Sequence, residues 1–318
     1  MLIHFFFLLL GFVIVVLGAE GVVQASASLA KRLKVTELVI GLTIVAFGTS
    51  APEFIVNIIA SFQKEEGIVI GNILGSNIFN LLLILGIGAV VRPLKVKRRT
   101  VILEIPYAVL TVLLIGFAAN DKLLDQMPQN LITRSDALQM LAFFIIFLMY
   151  TFWLFKEKNE INLKVKDLSG WTILTFLLLG FLGLFVGGKW VVHEAVILAK
   201  QLGVTQELIA LTIVSAGTSL PELATSIVAA LRGRPNIAMG NILGSNIFNS
   251  LFILPISAIV QDIPYPARIN ADLLVLFAGS LLLVLLMGYK QQNQLSRVNG
   301  GVLLLLYGGY LAFVIWRG

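Results

Sequence analysis

Gly48-Thr49-Ser50-Ala51-Pro52-Glu53 sets a carboxylate and a proline inside an otherwise apolar segment, and Gly217-Thr218-Ser219-Leu220-Pro221-Glu222 does the same 169 residues later. A ten-residue stretch, Gly71-Asn72-Ile73-Leu74-Gly75-Ser76-Asn77-Ile78-Phe79-Asn80, recurs unchanged at the same offset as Gly240 to Asn249. Residues 17–80 lie on 186–249 without a gap, with 32 identities in 64 positions. Self-similarity at a fixed offset marks a duplicated structural unit, and the fold has to be read from that duplication.

Outward from the motifs the chain is apolar. Hydrophobic residues make up 58% and charged residues 13%, against roughly 25% charged in an average soluble domain. Apolar runs of about 20 residues, long enough to cross a bilayer as helix, follow one another along its length. The runs predict ten helices, near 2–29, 38–62, 70–91, 100–119, 136–155, 170–199, 205–231, 237–260, 270–288 and 299–316. Met1 to Ala19 resembles a secretory signal but lacks its positively charged start. Because Leu17 already belongs to the duplicated unit, this stretch is read as the first transmembrane helix.

The expected fold is therefore an all-α polytopic membrane protein of ten transmembrane helices. It divides into two five-helix halves, 1–155 and 170–318, joined by a short cytoplasmic linker, 156–169. An odd number of spans per half puts the second half upside down relative to the first, as in inverted-repeat transporters. Loop charge tests that independently. Alternate loops hold sixteen Lys and Arg residues, from Lys31 and Arg32 to Lys290 and Arg297, while the other loops and the ends hold six, including Lys64, Lys122, Arg268 and Arg317. The positive-inside rule places the richer set in the cytoplasm, so both termini are expected outside a plasma (cytoplasmic) membrane. The linker and the longest external loop, Asn120 to Asp136, are too short for a regulatory domain.

The net charge of +6 follows from this topology and needs no nucleic-acid partner. Absence of cysteine excludes disulfides, thiol catalysis and thiolate metal sites. Two histidines, His4 and His193, are too few for a His-rich zinc centre.

Glu53 and Glu222 carry the chemistry. A carboxylate in the middle of a membrane helix costs roughly 2.5–3.5 kcal/mol on insertion scales, so it faces the bundle interior and marks a pathway. One such residue could equally be a protonated packing group. Two at mirrored positions, each preceded by the same hydroxyls and a proline, point to a cation site. Pro52 and Pro221 are expected to free the carbonyls of Gly48 and Gly217 by kinking their helices. The chain can distort there because glycine is permissive. Thr49 with Glu53, Ser76 with Asn80, Thr218 with Glu222 and Ser245 with Asn249 are each four apart and share a helix face. Hydroxyl, amide and carboxylate oxygens without nitrogen or sulfur suit hard cations such as calcium and sodium.

At these residues the resemblance to a known family becomes specific. Both Gly-Thr-Ser-X-Pro-Glu motifs and both Gly-Ser-Asn-Ile-Phe-Asn motifs resemble the alpha repeats of the calcium:cation antiporter superfamily, prokaryotic sodium/calcium exchanger type. The resemblance implies that Glu53 and Glu222 are shared ligands for calcium and, alternately, sodium, with the backbone carbonyls of Thr49 and Thr218 completing the calcium site. It implies a flanking sodium site of Ala46, Thr49, Ser50 and Ser76, and an inverted mate of Ser215, Thr218, Ser219 and Ser245. Ser215 stands where alanine is common, a mild change because the backbone oxygen is used. Asn80 and Asn249 are the central amides; such exchangers often carry aspartate at one of the two, and here both are neutral.

The reading that results is a secondary active antiporter exchanging sodium for calcium by alternating access, not an enzyme and without a cofactor. Its partners would be calcium and sodium ions and the lipid bilayer, with no nucleic acid, and it is expected to function as a monomer. A calcium/proton antiporter keeps the same fold, since desolvation favours a protonated carboxyl. A passive cation channel is the alternative from another class, and concentrative transport separates it. Neither a nucleophile–base pair nor a His-Glu-X-X-His motif is present to suggest an intramembrane enzyme.

Overall fold

The structure, a computed structural model, describes residues 2–156, 165–203, 215–288 and 293–317. Helix α1 is Leu2–Leu33, and a bent pair, α2 Glu37–Thr49 and α3 Ala51–Gln63, follows at 46°. Then come α4 Gly67–Val91, α5 Arg98–Ala118, α6 Arg134–Lys156 and α7 Gly170–Gln201. The second half continues with α8 Leu220–Leu231, α9 Pro235–Val260, α10 Ala267–Gly288 and α11 Arg297–Arg317. Among the described residues eight helices are long and apolar enough to cross a membrane, or nine with the bent pair taken as one span. The chain is a multi-pass membrane protein. The seventh predicted span, 205–231, lies partly outside the described residues; its described part is 215–231, which includes α8.

Burial sorts these helices into layers. In α4 and α9, 78% and 83% of the most apolar stretch is buried, against 22% in α1, 28% in α7 and 11% in α11. The two helices that carry the ten-residue repeat therefore form the centre. Outer faces present large apolar side chains such as Phe12, Ile145, Leu178 and Leu305, while Asn57, Thr225, Asn241 and Ser257 are buried. Lipid is as apolar as leucine, so it exerts no pressure to hide these side chains, and small and polar residues hold the interior together.

Long helices α1 and α7 pack against each other along their length. A Cβ on Gly18 would come within 2.8 Å of the Gly180 carbonyl oxygen and 2.9 Å of the Leu184 nitrogen, so the two backbones touch there. Near one end of the pair, His4 Nδ1 meets Glu194 Oε2 at 2.7 Å. The pair lies at the edge of the core, in contact with α8.

Two short antiparallel ribbons tie the halves together. Strand β1 (Leu94–Lys95) pairs with β4 (Gln294–Leu295), in the register Leu94 with Leu295. Strand β2 (Leu131–Ile132) pairs with β3 (Ile263–Pro264), with Ile132 opposite Ile263. Ile263 lies 169 residues after Leu94, the offset of the duplication. Each ribbon joins one loop from each half, and the two loops of each ribbon fall in the same charge class.

Candidate functional site

Both acidic motifs break their helix at the same serine. Ser50 adopts φ −81°, ψ 5° and Ser219 φ −89°, ψ 8°, and a new helix starts at the next residue. Pro52 and Pro221 sit in the first turn of α3 and α8, where proline's missing N–H is harmless and its fixed φ helps. The expected mid-helix kink is thus corrected to a true break followed by a fresh start. It follows that Glu53 and Glu222 lie in first turns, whose partial positive charge favours a carboxylate. Gly48 has a packing role beyond distortion: a Cβ there would fall 2.2 Å from the Phe181 ring of α7.

Cross-bonding between the motifs brings the two carboxylates together. Ser50 Oγ donates to Glu222 Oε1 at 2.9 Å, and Ser219 Oγ donates to Glu53 Oε1 at 2.9 Å. Ser245 Oγ adds a second donor to Glu222 Oε1 at 3.3 Å. Each glutamate is therefore held by the serine of the other motif. Glu53, Glu222, Ser50, Ser219, Ser76, Ser245, Asn80, Asn249 and Thr49 are all buried.

The ten-residue repeat supplies the surrounding amides. Asn80 Nδ2 donates to Asn246 Oδ1 at 3.1 Å, and Asn249 Nδ2 donates to Asn77 Oδ1 at 3.0 Å. Thr49 Oγ1 donates to Asn241 Oδ1 at 3.0 Å, and Thr218 Oγ1 to Asn72 Oδ1 at 3.3 Å. Asn72, Asn77, Asn241 and Asn246 were not singled out in the sequence. The signal that could have found them is the unchanged decapeptide itself, which holds three asparagines in each half.

A set of acceptors is left without partners. Glu53 Oε2, Glu222 Oε2, Asn80 Oδ1, Asn249 Oδ1 and Ser76 Oγ are buried with no hydrogen bond. Each unsatisfied buried acceptor costs about 1–3 kcal/mol, and a bound cation would offset that cost. Among the described residues no three acidic or histidine side chains cluster, and the two glutamates supply the charge. Not every expected ligand is free. The Ala46 carbonyl already accepts Ser50 N–H at 2.9 Å and Thr49 Oγ1 at 3.3 Å, so an ion there would have to displace or share those bonds. Ser215 begins a helical turn, Ser215–Gly217; its side chain lies outside the described structure.

The surroundings of the two motifs differ. Thr49 is fully buried, whereas Thr218 is half-buried. A cavity of about 470 Å³ lined by Gly71, Gly75, Ala216, Asp272, Tyr310 and Arg317 adjoins the second motif. At its edge Arg317 Nη1 pairs with Asp272 Oδ2 at 2.9 Å, and Tyr310 donates to Asp272 Oδ1 at 2.8 Å. On the matching face of the other half, Gly240 and Gly244 pack directly on α2.

Comparison with known proteins agrees with the motifs. The profile described as sodium/calcium exchanger protein matches residues 3–153 and 172–316. The chain belongs to the sodium/calcium exchanger family. It is 35% identical to the putative antiporter CaxA of Alkalimonas amylolytica, covering 98% of both chains. It is 32% identical to the sodium/calcium exchanger MaX1 of Methanosarcina acetivorans, covering 99% of both. Among solved structures, the sodium-calcium exchanger NCX_Mj soaked with 2.5 mM Na+ and 0.1 mM Ca2+ superposes with a TM-score of 0.80 at 30% identity over 98% of each chain. In this exchanger-family chain each glutamate is braced by the serine of the opposite motif, and four buried carboxylate and amide oxygens of the two motif pairs have no partner. Hard cations prefer such an all-oxygen environment.

Proposed function

We propose that the chain is a secondary active antiporter that moves calcium out in exchange for sodium influx. Its single site would be exposed alternately to either side by two inverted halves, 1–155 and 170–318, linked through 156–169. The observation that carries this reading is the group of buried oxygens without partners at the two glutamates and two central asparagines. A divalent ion between Glu53 and Glu222 is neutralised by their two charges, and sodium ions compete for the same oxygens. Alternating access is supported by the unequal surroundings of Thr49 and Thr218 and by the peripheral α1–α7 pair, which can rock against the rest.

Three sodium ions are favoured over two because the hydroxyl sites that flank the glutamates are intact in both repeats. With Asn80 and Asn249 neutral, two carboxylates balance one calcium, and three sodium ions would leave one positive charge. Exchange should therefore move net charge and need no potassium. The test is calcium-45 uptake into proteoliposomes under an imposed sodium gradient, a proton gradient or neither, with membrane potential clamped and with or without potassium. Sodium-driven, voltage-sensitive, potassium-independent accumulation is expected. Uptake driven by protons alone would make it a calcium/proton antiporter, and only downhill flux would make it a channel. A voltage-insensitive flux would reject the three-sodium cycle.

Orientation is proposed from loop charge, with both termini outside the plasma membrane. The ribbons support it, since each joins loops that the charges place on one side. The natural chain has no cysteine, so single substitutions report sidedness cleanly. Lys122→Cys should react with an impermeant thiol reagent in intact cells, and Lys97→Cys should react only after permeabilisation. The reverse pattern would invert the topology.

A further inference from the structure

An asparagine amide has two faces of opposite character: its oxygen attracts a cation, and its NH₂ repels one. A neutral central amide is therefore useful to a cation only if something holds it the right way round. At Asn80 the direction is decided by a chain of bonds that ends on the backbone. Asn246 Nδ2 donates to the backbone carbonyl of Asn77 at 3.2 Å. A carbonyl can only accept, so Asn246 must present its nitrogen to it and its Oδ1 elsewhere. That Oδ1 accepts Asn80 Nδ2 at 3.1 Å. Asn80 Oδ1 is then left buried and without a partner.

The other half repeats the pattern of bonds, ending on a hydroxyl, which can donate as well as accept, in place of a carbonyl. Asn77 Nδ2 donates to Ser250 Oγ at 2.9 Å, its Oδ1 accepts Asn249 Nδ2 at 3.0 Å, and Asn249 Oδ1 is again without a partner. Each central asparagine is thus held by an asparagine of the opposite half. We propose that Asn246 and Asn77 are positioning residues for the transported cation, turning the amides of Asn80 and Asn249 so that oxygen faces the ion. They do not touch the ion themselves. This also accounts for the second asparagine of each decapeptide, which the glutamate-centred reading leaves without a role.

The proposal rests on Asn80 and Asn249 being ligands, and the experiment separates the two ideas. Calcium binding to purified full-length protein is measured by calorimetry for N80A, N246A, N80D and the double variant N246A/N80D. Losing an outer group that orients a ligand costs about 10- to 100-fold in metal affinity, so N246A should weaken calcium binding by at least about tenfold. A carboxylate has oxygen on both faces and needs no orienting partner. In the N80D background, N246A should therefore cost less than about twofold, whatever N80D does alone, by the logic of a double-mutant cycle. A merely structural role for Asn246 would cost the same in both backgrounds, and that result overturns the proposal. So does an unchanged affinity in N246A when N80A is weakened. Unchanged binding in N80A would instead remove Asn80 from the site and overturn the underlying reading. Should any variant of this arm fail to fold or N80D fail to bind, the mirrored cycle of N77A with N249D decides by the same criteria.

Discussion

Glu53→Gln and Glu222→Gln should each abolish calcium transport and leave a folded protein. Both side chains are buried, each is held at Oε1 by the other motif's serine, and each leaves Oε2 without a partner. Glutamine keeps the shape and can keep the serine bond, so little packing changes. What goes is half of the charge that balances a divalent ion, and one free oxygen is replaced by a donor. A calcium affinity loss of at least about 100-fold is expected, or roughly 2.8 kcal/mol at about 1.4 kcal/mol per decade. Stability without ions should hold or rise, because an uncompensated buried carboxylate is a burden on the fold. Calcium raises the melting temperature of a protein that binds it, and in these variants that increment should vanish. Near-normal calcium-45 exchange in either variant, at matched protein level, would remove these glutamates from the transport site.

The parts of this design legible in the sequence are those written in composition and repetition. Helix spans follow from apolar length, and α1, α6, α7 and α11 begin and end within a few residues of their predicted limits. The glutamates were legible because charge is expensive in the membrane and because it recurs at one offset. What was not legible is whatever depends on contact between the halves. Pairing Ser76 with Asn80 along one helix face is local arithmetic, whereas Asn80 with Asn246 joins residues 166 apart in sequence. The break at Ser50 was also misjudged, since a proline two residues later reads equally well as a kink or a new first turn. π-helical turns at Phe79–Ile84 and Asn249–Ile253, beginning at or next to a central asparagine, leave no sequence mark that the 3.6-residue period would reveal. Identical decapeptides also sit in unlike settings, with Gly240 buried and its counterpart Gly71 exposed. A sequence shared by two halves cannot specify that difference in surroundings.

That difference makes Gly244 the residue where one methyl group should do the most damage to the fold. The backbones of α2 and α9 cross there with only the Ala46 methyl group close between them. A Cβ on Gly244 would lie 2.6 Å from Ala46 Cβ, 2.7 Å from the Leu42 carbonyl oxygen and 2.9 Å from Leu42 Cα. A Cβ on its neighbour Gly240 would lie 2.7 Å from the Leu38 carbonyl oxygen, and one on Gly41 would lie 2.9 Å from the Ile237 carbonyl oxygen from the other side. Backbone atoms cannot swing away, so α2 as a whole must move. Overpacking of this kind costs about 1–3 kcal/mol. Glycine to alanine in an unencumbered helix has the opposite sign, worth about 0.8–1.0 kcal/mol in favour of alanine. Gly309 in α11 is exposed, with nothing within 4 Å of a Cβ, and serves as that control. Displacing α2 also strains the Thr49–Asn241 bond at 3.0 Å and shifts Ser245, which bonds Glu222. Gly244→Ala should therefore lower the melting temperature in calcium-free detergent and reduce calcium-45 flux together, while Gly309→Ala leaves flux unchanged and the melting temperature level or higher. If Gly244→Ala melts with the parent protein and transports at its rate, the helices do not cross this closely.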